Sequence, residues 1–304
     1  MTDVSCIVCG SRRWRLRHRG MHDLEYGLAL PALDIVECPD CGLLRLDPMP
    51  APETLLTFYT PDYANTRLAT ERSLRSRLAG LYDRRLIRRF AQLAGPAAAV
   101  LDVGCSAGHL VAKMQAAMPG WTVTGVETDA SAVAAGRALG RNIVLGGLDE
   151  APLRAGSFDL VVLNHVVEHV ADPRALLARV LELLKPGGHA YIEMPNTACL
   201  DFRLLGRWWG GIHFPRHTYL FSGANAAILL EGVGFAGIAI ENTPQIFGWA
   251  MGWQNWLADK AGLSVKGGRS AIYPALMLAA LPLVLLQDRL GATASMAAVA
   301  HKPV

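Results

Sequence analysis

The sequence predicts an α/β fold with a mostly parallel sheet, preceded by a small cysteine-rich unit. With 304 residues, 52% of them hydrophobic and 18% charged, the chain is long enough for about two domains with a substantial core. From about residue 94 onwards, apolar runs of strand length alternate with helical stretches. This alternation is typical of parallel strands that are covered by helices on both faces. Four of the six cysteines lie in the first 47 residues, which sets that segment apart.

The N-terminal segment contains two C-x2-C pairs, Cys6 with Cys9 and Cys38 with Cys41. The N-terminus shows no secretory signal, so we expect a cytoplasmic protein whose thiols stay reduced. Paired cysteines in that compartment indicate metal binding rather than disulfides. Four thiolates form the closed tetrahedral site that is typical of structural Zn²⁺, and so short a segment needs such help to fold. Residues 1–47 are therefore predicted to form a zinc ribbon.

Five arginines lie between the two cysteine pairs: Arg12, Arg13, Arg15, Arg17 and Arg19. They form either an anion-binding face, which could contact RNA, or the solvated face of a hairpin. The net charge of the whole chain is only +3. This balance argues against a general nucleic-acid coat protein, which would show a broad basic surface.

The elements of the remaining chain follow in order. Residues 48–93 are predicted to be a linker rich in proline and aromatic residues, followed from residue 66 by a basic amphipathic helix. The domain at 94–304 then contains the strand-like runs AAVLDVG, WTVTGVE, RNIVLG, FDLVVLN and HAYIEMP. Helical stretches separate most of them: HLVAKMQAAM, ASAVAAGRALG and PRALLARVLELLKPGG. A late pair of strands, AGIAIEN and SMAAVAHKP, flanks a hydrophobic helical insertion at about 245–292.

Within that insertion, residues 271–286 carry no charge and contain Pro274 and Pro282. A membrane-spanning helix needs about 20 apolar residues, so we expect two short hydrophobic helices here instead. Their surface either packs onto the core of the same domain or requires a partner. The candidate partners are a second subunit in a homodimer, a lipidic acceptor and the inner face of a membrane.

The first strand of the domain runs into a turn of small residues, from Gly104 through Ser106 to Gly108, and then into a helix. Such a turn lets backbone N–H groups approach a ligand at the carboxyl end of a sheet. Glu127 ends the next strand, where a carboxylate can accept hydrogen bonds from both hydroxyls of a ribose. Because no phosphate-binding lysine follows the turn, the pattern favours a nucleoside over a pyrophosphate.

Four ordered motifs resemble those of class I S-adenosylmethionine-dependent methyltransferases: LDVGCSAG, GVE, SFDLVVLNHVVEHV and LLKPGGHAYIEMPN. The resemblance spans roughly residues 75–242, with the last strand at 294–302. It implies a Rossmann-like methyltransferase sheet with an antiparallel last strand, and S-adenosyl-L-methionine as cofactor. The cofactor-binding residues that it implies are Asp102, Gly104, Ser106, Gly108, Glu127, Gly147, Leu148 and Asn164.

Two positions depart from the pattern of that family. Ser106 stands where a middle glycine is usual. Gly147 stands where an Asp or Asn often binds the adenine amine, so Gly147 and Leu148 would contact adenine through the backbone alone.

Three histidines are candidate general bases: His165, His213 and His217. Methyl transfer requires donor and acceptor to be held in line without water, and a base if the acceptor is a hydroxyl or an activated carbon. His165 directly follows the fourth strand, whereas His213 and His217 follow the fifth in a segment that resembles the H-x-P-R-H segment of a bacterial subgroup. Arg216 is a candidate anchor for a phosphate or carboxylate. The alternative is that these polar groups only hold a loop in place.

Residues 165–169 also match the zinc-protease pattern H-x-x-E-H. Their context argues against a protease, because the pattern follows a buried strand inside the methyltransferase series. The sequence also shows no evident distal ligand.

The sequence therefore predicts a small-molecule methyltransferase with an N-terminal zinc ribbon. Its acceptor is expected to be an O or C nucleophile on a sugar, lipid-linked or secondary-metabolite compound, anionic or lipidic in character. One alternative is an RNA methyltransferase that binds its substrate with the ribbon, although no N/D-P-P-Y sequence follows the fourth strand and nucleic acid is not the favoured partner. Another is a non-catalytic membrane-associated binder. The expected location is the cytoplasm, in peripheral contact with the inner membrane face.

Overall fold

The computed structural model describes residues 4–30, 33–59, 74–243, 245 and 247–304, without the side chains of residues 74–82 and 247. Part of the predicted linker and the start of the predicted basic helix, residues 60–73, lie outside the described residues. The N-terminal part contains β1 (Arg15–Met21), β2 (Leu33–Glu37), β3 (Leu44–Asp47) and the short helix α1 (Pro52–Thr57). Helix α2 (Leu74–Ala94) follows and leads into the α/β domain.

The α/β domain alternates strands and helices as predicted. In chain order its elements are β4 (Ala99–Val103), α3 (His109–Ala117), β5 (Thr122–Glu127), α4 (Ala130–Ala138), β6 (Ile143–Leu145), β7 (Phe158–Asn164), α5 (Pro173–Leu183), β8 (Leu184–Pro195), α6 (Leu200–Leu205), β9 (Tyr219–Leu220), α7 (Gly223–Val233), β10 (Ala236–Thr243), α8 (Phe247–Ala261), α9 (Tyr273–Leu290) and β11 (Ser295–His301). Three helices of the domain have a side-chain N-cap. Asp129, Asp172 and Ser222 accept hydrogen bonds from backbone N–H groups in the first turns of α4, α5 and α7, which have no partner within the helix.

Seven of these strands form one sheet in the order β10-β11-β8-β7-β4-β5-β6. Strands β4 to β8 are parallel, and β11 is antiparallel to both β8 and β10, which confirms the predicted fold class. The central strands are apolar and almost fully buried, as expected for a sheet that helices cover on both faces. The chain moves from β4 towards β6 on one side and then returns to β7 on the other. The carboxyl ends of β4 and β7 therefore border the crevice where ligands bind in folds of this type.

A second sheet joins the N-terminal strands to the α/β domain. Its order is β1-β2-β3-β9, and β9 comes from the segment after the fifth parallel strand. Leu44 and Arg45 of β3 pair with Leu220 and Tyr219 of β9. A shared apolar cluster fills the junction, with residues from β1 to β3 packed against α6 and the segment that precedes β9. The sequence gives no sign of this pairing.

The four N-terminal cysteine sulfurs lie together, all within 4.8 Å of one another. Cys6 Sγ is 3.5 Å from Cys41 Sγ, and Cys9 Sγ is 3.6 Å from Cys38 Sγ, so these are free thiols. With Zn–S bonds of about 2.3 Å, the sulfurs of a tetrahedral site stand about 3.8 Å apart, which is close to these distances. The donor set and its spacing therefore fit the predicted structural Zn²⁺.

Helix α9 corrects one prediction. Residues 271–286 do not form two short helices, because a single helix runs from Tyr273 to Leu290. Pro274 lies in the first turn, where no intrahelical N–H bond is needed, and Pro282 releases only the carbonyl of Leu278 on the exposed face. One face of α9 packs against α8. On the opposite face Leu278 is 70% exposed and Leu285 is 62% exposed.

Helix α9 is also long and apolar enough to cross a membrane by length and composition, and only 22% of the helix is buried in the protein. No other helix among the described residues meets that criterion.

The four-cysteine site predicts one equivalent of zinc that depends on these thiolates. In protein purified under reducing conditions, Cys38→Ser should lower the zinc content by one equivalent per chain, as measured by elemental analysis. Cys199→Ser is the matched control, because Cys199 is a buried free thiol outside the cluster. Equal zinc content in Cys38→Ser and the unaltered protein would contradict the assignment.

Candidate active site

The turn after β4 forms a cradle of backbone groups. Gly104 (φ 66°), Ser106 (φ 52°) and Gly108 (φ 76°) all adopt the left-handed conformation. A Cβ atom on Gly104 would lie 2.9 Å from Val166, and one on Gly108 would lie 2.7 Å from Ile143. Both positions therefore require glycine, whereas Ser106 accepts a conformation that is unfavourable for its side chain.

Glu127, at the end of β5, ties this turn to the edge of the sheet. One carboxylate oxygen accepts from the N–H of Ser106 at 2.8 Å. The other accepts from the N–H groups of Thr128 at 2.8 Å and Asp129 at 3.0 Å. The side chain is half-buried, so the carboxylate lies at the mouth of the crevice, where a ligand hydroxyl can reach it.

Asp102 lies deeper, within β4, and is almost fully buried. Burial raises the pKa of its carboxyl to about 7, and the negative charge of Glu127 acts in the same direction. Asp102 therefore carries its full charge only above neutral pH. Because it is buried, its side chain does not line an open surface.

The predicted adenine-contacting residues follow β6. Leu148 is buried, and the space around the Cα of Gly147 is open, with no atom within 4 Å of an added Cβ. The N–H of Gly147 donates to the carboxylate of Glu150 at 3.2 Å. Glu150 was not among the residues predicted from the sequence. It places an acidic group three residues after Gly147, the position where the family often has Asp or Asn.

Asn164 and His165 lie at the carboxyl end of β7, beside the glycine turn. His165 has φ 54°, and its Nδ1 is 2.9 Å from Oε1 of Glu168. The carboxylate holds the proton on Nδ1, so the lone pair of the neutral ring is on Nε2. Glu168 is fully buried. Residues 165–169 form a turn rather than a helix, so His165 and His169 do not share a helical face as they would in a zinc protease.

His217 and His213 lie in the segment before β9. His217 is buried, and its Nδ1–H donates to the carbonyl of Gly211 at 2.8 Å. Burial lowers the pKa of His217 well below its usual range, and the neighbouring His169 adds to this effect. Nδ1 of His213, in contrast, is 2.6 Å from a carboxylate oxygen of Glu25 in the N-terminal part.

Arg216 does not fit its predicted role as an anion anchor. Its Nη2 donates to the carboxylate of Asp23 at 3.0 Å, and both side chains are 0% exposed. The guanidinium also stacks on the ring of Tyr26, at 4.2 Å from its centroid. Because Arg216 is buried and already paired, it holds the N-terminal part against the domain.

The turn that contains Asp23, Glu25 and Tyr26 was not predicted from the sequence. Nothing in its local pattern distinguishes this turn, and its partners lie about 190 residues away in the chain. The structure brings the histidines together: the ring centroids of His169 and His217 are 4.5 Å apart, and those of His213 and His217 are 5.2 Å apart.

Comparison with known proteins gives sequence relatives and similar structures. A ubiquinone biosynthesis O-methyltransferase of Cronobacter sakazakii is 36% identical over 104 residues, which are 32% of this chain and 42% of that protein. Its counterpart in Xanthomonas campestris is 36% identical over 121 residues, 38% of this chain and 50% of that protein. The chain thus spans no more than about half the length of these relatives.

Two solved structures match the chain at low sequence identity. A SAM-dependent methyltransferase from Archaeoglobus fulgidus has a TM-score of 0.49 and 20% identity, and the match covers 73% of this chain and 94% of that one. Phosphoethanolamine N-methyltransferase 2 of Haemonchus contortus, in complex with S-adenosyl-L-methionine, has a TM-score of 0.49 and 18% identity, over 72% of this chain and 53% of that one.

A family model decides the assignment. The model for the methyltransferase domain matches residues 72–240, which is more than half of the 304 residues. This match includes the glycine turn, Glu127 and the turn that follows β7. The chain therefore belongs to the methyltransferase domain family.

Proposed function

We propose that this protein transfers a methyl group from S-adenosyl-L-methionine to an oxygen nucleophile of a small molecule. The observation that carries the proposal is the juxtaposition of the glycine turn and Glu127 with the His165–Glu168 pair at one edge of the sheet. The first two suit a nucleoside, and the pair suits the removal of a proton. The relatives named as O-methyltransferases support oxygen as the acceptor atom.

The residues present fit the cofactor. The backbone N–H groups of residues 104–108 would face its methionine part, and the Glu127 carboxylate would accept from the ribose hydroxyls. The open space beside Gly147 suits a flat adenine ring. When bound, S-adenosyl-L-methionine supplies a methyl group on a positively charged sulfur, which is already a strong electrophile.

His165 would take the proton from the acceptor hydroxyl at Nε2, as the new O–C bond forms and the S–C bond breaks. Nε2 is buried in this structure, 4.0 Å from Oε1 of Glu193, so the ring would have to move towards the acceptor for this step. Glu168 holds Nδ1–H and stabilises the imidazolium that results, because a buried carboxylate interacts strongly with a neighbouring positive charge. The protein otherwise contributes alignment of the two reactants and exclusion of water.

The N-terminal arginines favour a small acceptor over RNA. Arg13 pairs with Asp40, and Arg15 and Arg17 lie against Glu37. The two carboxylates offset part of the positive charge of the five arginines, which supports the solvated-hairpin interpretation.

We infer that the exposed leucine face of α9 lies against a lipid surface, so that the protein acts in the cytoplasm at the membrane. Leu278 and Leu285 lie on a face with no charged residue until the last turn, where exposed Asp288 and Arg289 carry opposite charges. Exposed Lys266 and Arg269 precede the helix. An apolar face preceded by two cations suits an anionic bilayer.

Glu127→Ala should weaken the binding of S-adenosylhomocysteine by about 2 kcal/mol, roughly thirtyfold, because the ribose loses a charged acceptor. Isothermal titration calorimetry measures this change. Glu53→Ala, an exposed glutamate on α1, is the control and should bind normally. If Glu127→Ala and Glu127→Gln both bind as tightly as the unaltered protein, the ribose assignment is wrong.

His165→Ala should lower kcat by about 100-fold or more and leave S-adenosylhomocysteine affinity unchanged, because a general base contributes to the chemical step alone. Turnover can be followed as labelled methyl transferred from S-adenosylmethionine into extracted small molecules. The control is His189→Ala, near the amino end of the parallel part of β8. Full turnover by the His165 variant would exclude it as the base.

Leu278→Asp with Leu285→Asp should abolish sedimentation with anionic vesicles, because both side chains are exposed and their replacement leaves the core intact. Leu139→Asp, 64% exposed on another face of the domain, should still sediment. Unchanged vesicle binding by the double variant would refute the lipid contact. A loss of dimers in place of vesicle binding would identify a second subunit as the partner.

A further inference from the structure

The second half of the H-x-x-E-H pattern meets a distant histidine. Glu168 and His169 lie in the turn after β7, and His217 lies just before β9. One ligand atom from each of these three side chains comes within 4.8 Å of the others. His165, the first residue of the pattern, is not a member of this group.

Both imidazoles are fixed by backbone carbonyls. Nδ1 of His217 donates to the carbonyl of Gly211 at 2.8 Å. Nδ1 of His169 is 3.1 Å from the carbonyl of Arg216 and 2.8 Å from the hydroxyl of Tyr59. A carbonyl oxygen only accepts, so His217 carries its proton on Nδ1 and its lone pair on Nε2. His169 has the same tautomer when its Nδ1–H donates to the carbonyl of Arg216, because the hydroxyl of Tyr59 can then act as a second acceptor. This is the arrangement that metal-binding histidines adopt, since a second hydrogen bond orients the ring and sets its tautomer.

Glu168 provides an independent observation. Its side chain is 0% exposed, and Oε1 lies 2.9 Å from His165 and 4.0 Å from Nε2 of His217. The other oxygen, Oε2, is buried and has no hydrogen-bond partner among the residues that the structure describes. A buried carboxylate oxygen without a partner is unfavourable, and a bound cation would satisfy it.

Backbone contacts fix the turn after β7 against the segment before β9. The N–H and the hydroxyl of Thr218 both donate to the carbonyl of Glu168, at 2.8 and 3.0 Å. Metal bonds of about 2.1 Å would place neighbouring ligand atoms about 3.4 Å apart. Small side-chain rotations therefore suffice to close the 4.0 Å separation between Glu168 and His217 onto one ion.

We propose that Glu168, His169 and His217 form a second metal site, separate from the four cysteines, for a divalent transition-metal ion such as Zn²⁺. Two imidazoles and one carboxylate suit Zn²⁺ or Fe²⁺, whereas Mg²⁺ and Ca²⁺ prefer oxygen ligands throughout. Three protein ligands leave a coordination position for water or for another oxygen ligand. The site shares Glu168 with the proposed His165–Glu168 pair, but its test measures zinc binding and does not depend on the proposed methyl transfer.

The test is zinc binding by the full chain, depleted of metal under reducing conditions and titrated with Zn²⁺ alone in competition with a chelating dye. The unaltered protein should bind two equivalents, each with a Kd below about 10 μM. Cys38→Ser, His217→Gln and His169→Gln should each bind one, and Cys38→Ser combined with His217→Gln should bind none. His189→Gln, which changes a histidine far from both sites, should still bind two.

S-adenosylhomocysteine binding by the same variants shows, independently of zinc binding, whether each variant is folded and keeps its cofactor site. If His217→Gln no longer binds S-adenosylhomocysteine, it has failed to fold, and the zinc stoichiometry of His169→Gln then tests the site. His169 is only half-buried, so its replacement disturbs the fold less. A single equivalent in the unaltered protein, lost with Cys38 and retained in the histidine variants, would overturn the second site. A second equivalent that neither histidine affects would overturn it equally, and both results would leave the cofactor assignment intact.

Discussion

The contact between Arg216 and Asp23 holds the two parts of this protein together. Two opposite charges, both fully withdrawn from water, meet across the junction of the N-terminal sheet and the α/β domain. Removal of one partner from such a pair leaves an uncompensated buried charge, which typically costs about 3–5 kcal/mol. The same junction contains the pairing of β3 with β9. The segment at residues 211–220 is therefore fixed to the N-terminal part by this contact as well as by the strand pairing.

The segment before β9, which we predict to lie on the acceptor side, is consequently held by residues from both parts of the chain. Glu25 reaches across the junction to His213, and Tyr26 lies beneath Arg216. The cofactor side, in contrast, is formed within the α/β domain, by the ends of β4, β5 and β7. A change in the N-terminal part can therefore alter the acceptor side while it leaves the glycine turn and Glu127 in place.

The features that were predictable from the sequence are those with a local signature. The glycine turn needs a left-handed backbone, the strands are continuous apolar runs, and the cysteines recur in pairs, so each can be recognised within about ten residues. The unpredicted features are long-range: Glu25 with His213, Asp23 with Arg216, and β9 with β3. The prediction of two short helices at residues 271–286 was wrong for another reason. Pro282 leaves the carbonyl of Leu278 without its N–H donor, and the helix continues because that carbonyl lies on the exposed face.

The position of β11 has a consequence for how the protein is made. This strand is inserted between β8 and β10 and is paired along both edges, yet about 100 residues separate it from β8 in sequence. While the chain emerges from the ribosome, the outer edge of β8 stays unpaired until Ser295–His301 have been synthesised. Such an edge can pair with other nascent chains, and contacts so distant in sequence form slowly. The sheet therefore cannot be completed before β11 has been synthesised, and until then the nascent domain is open to aggregation.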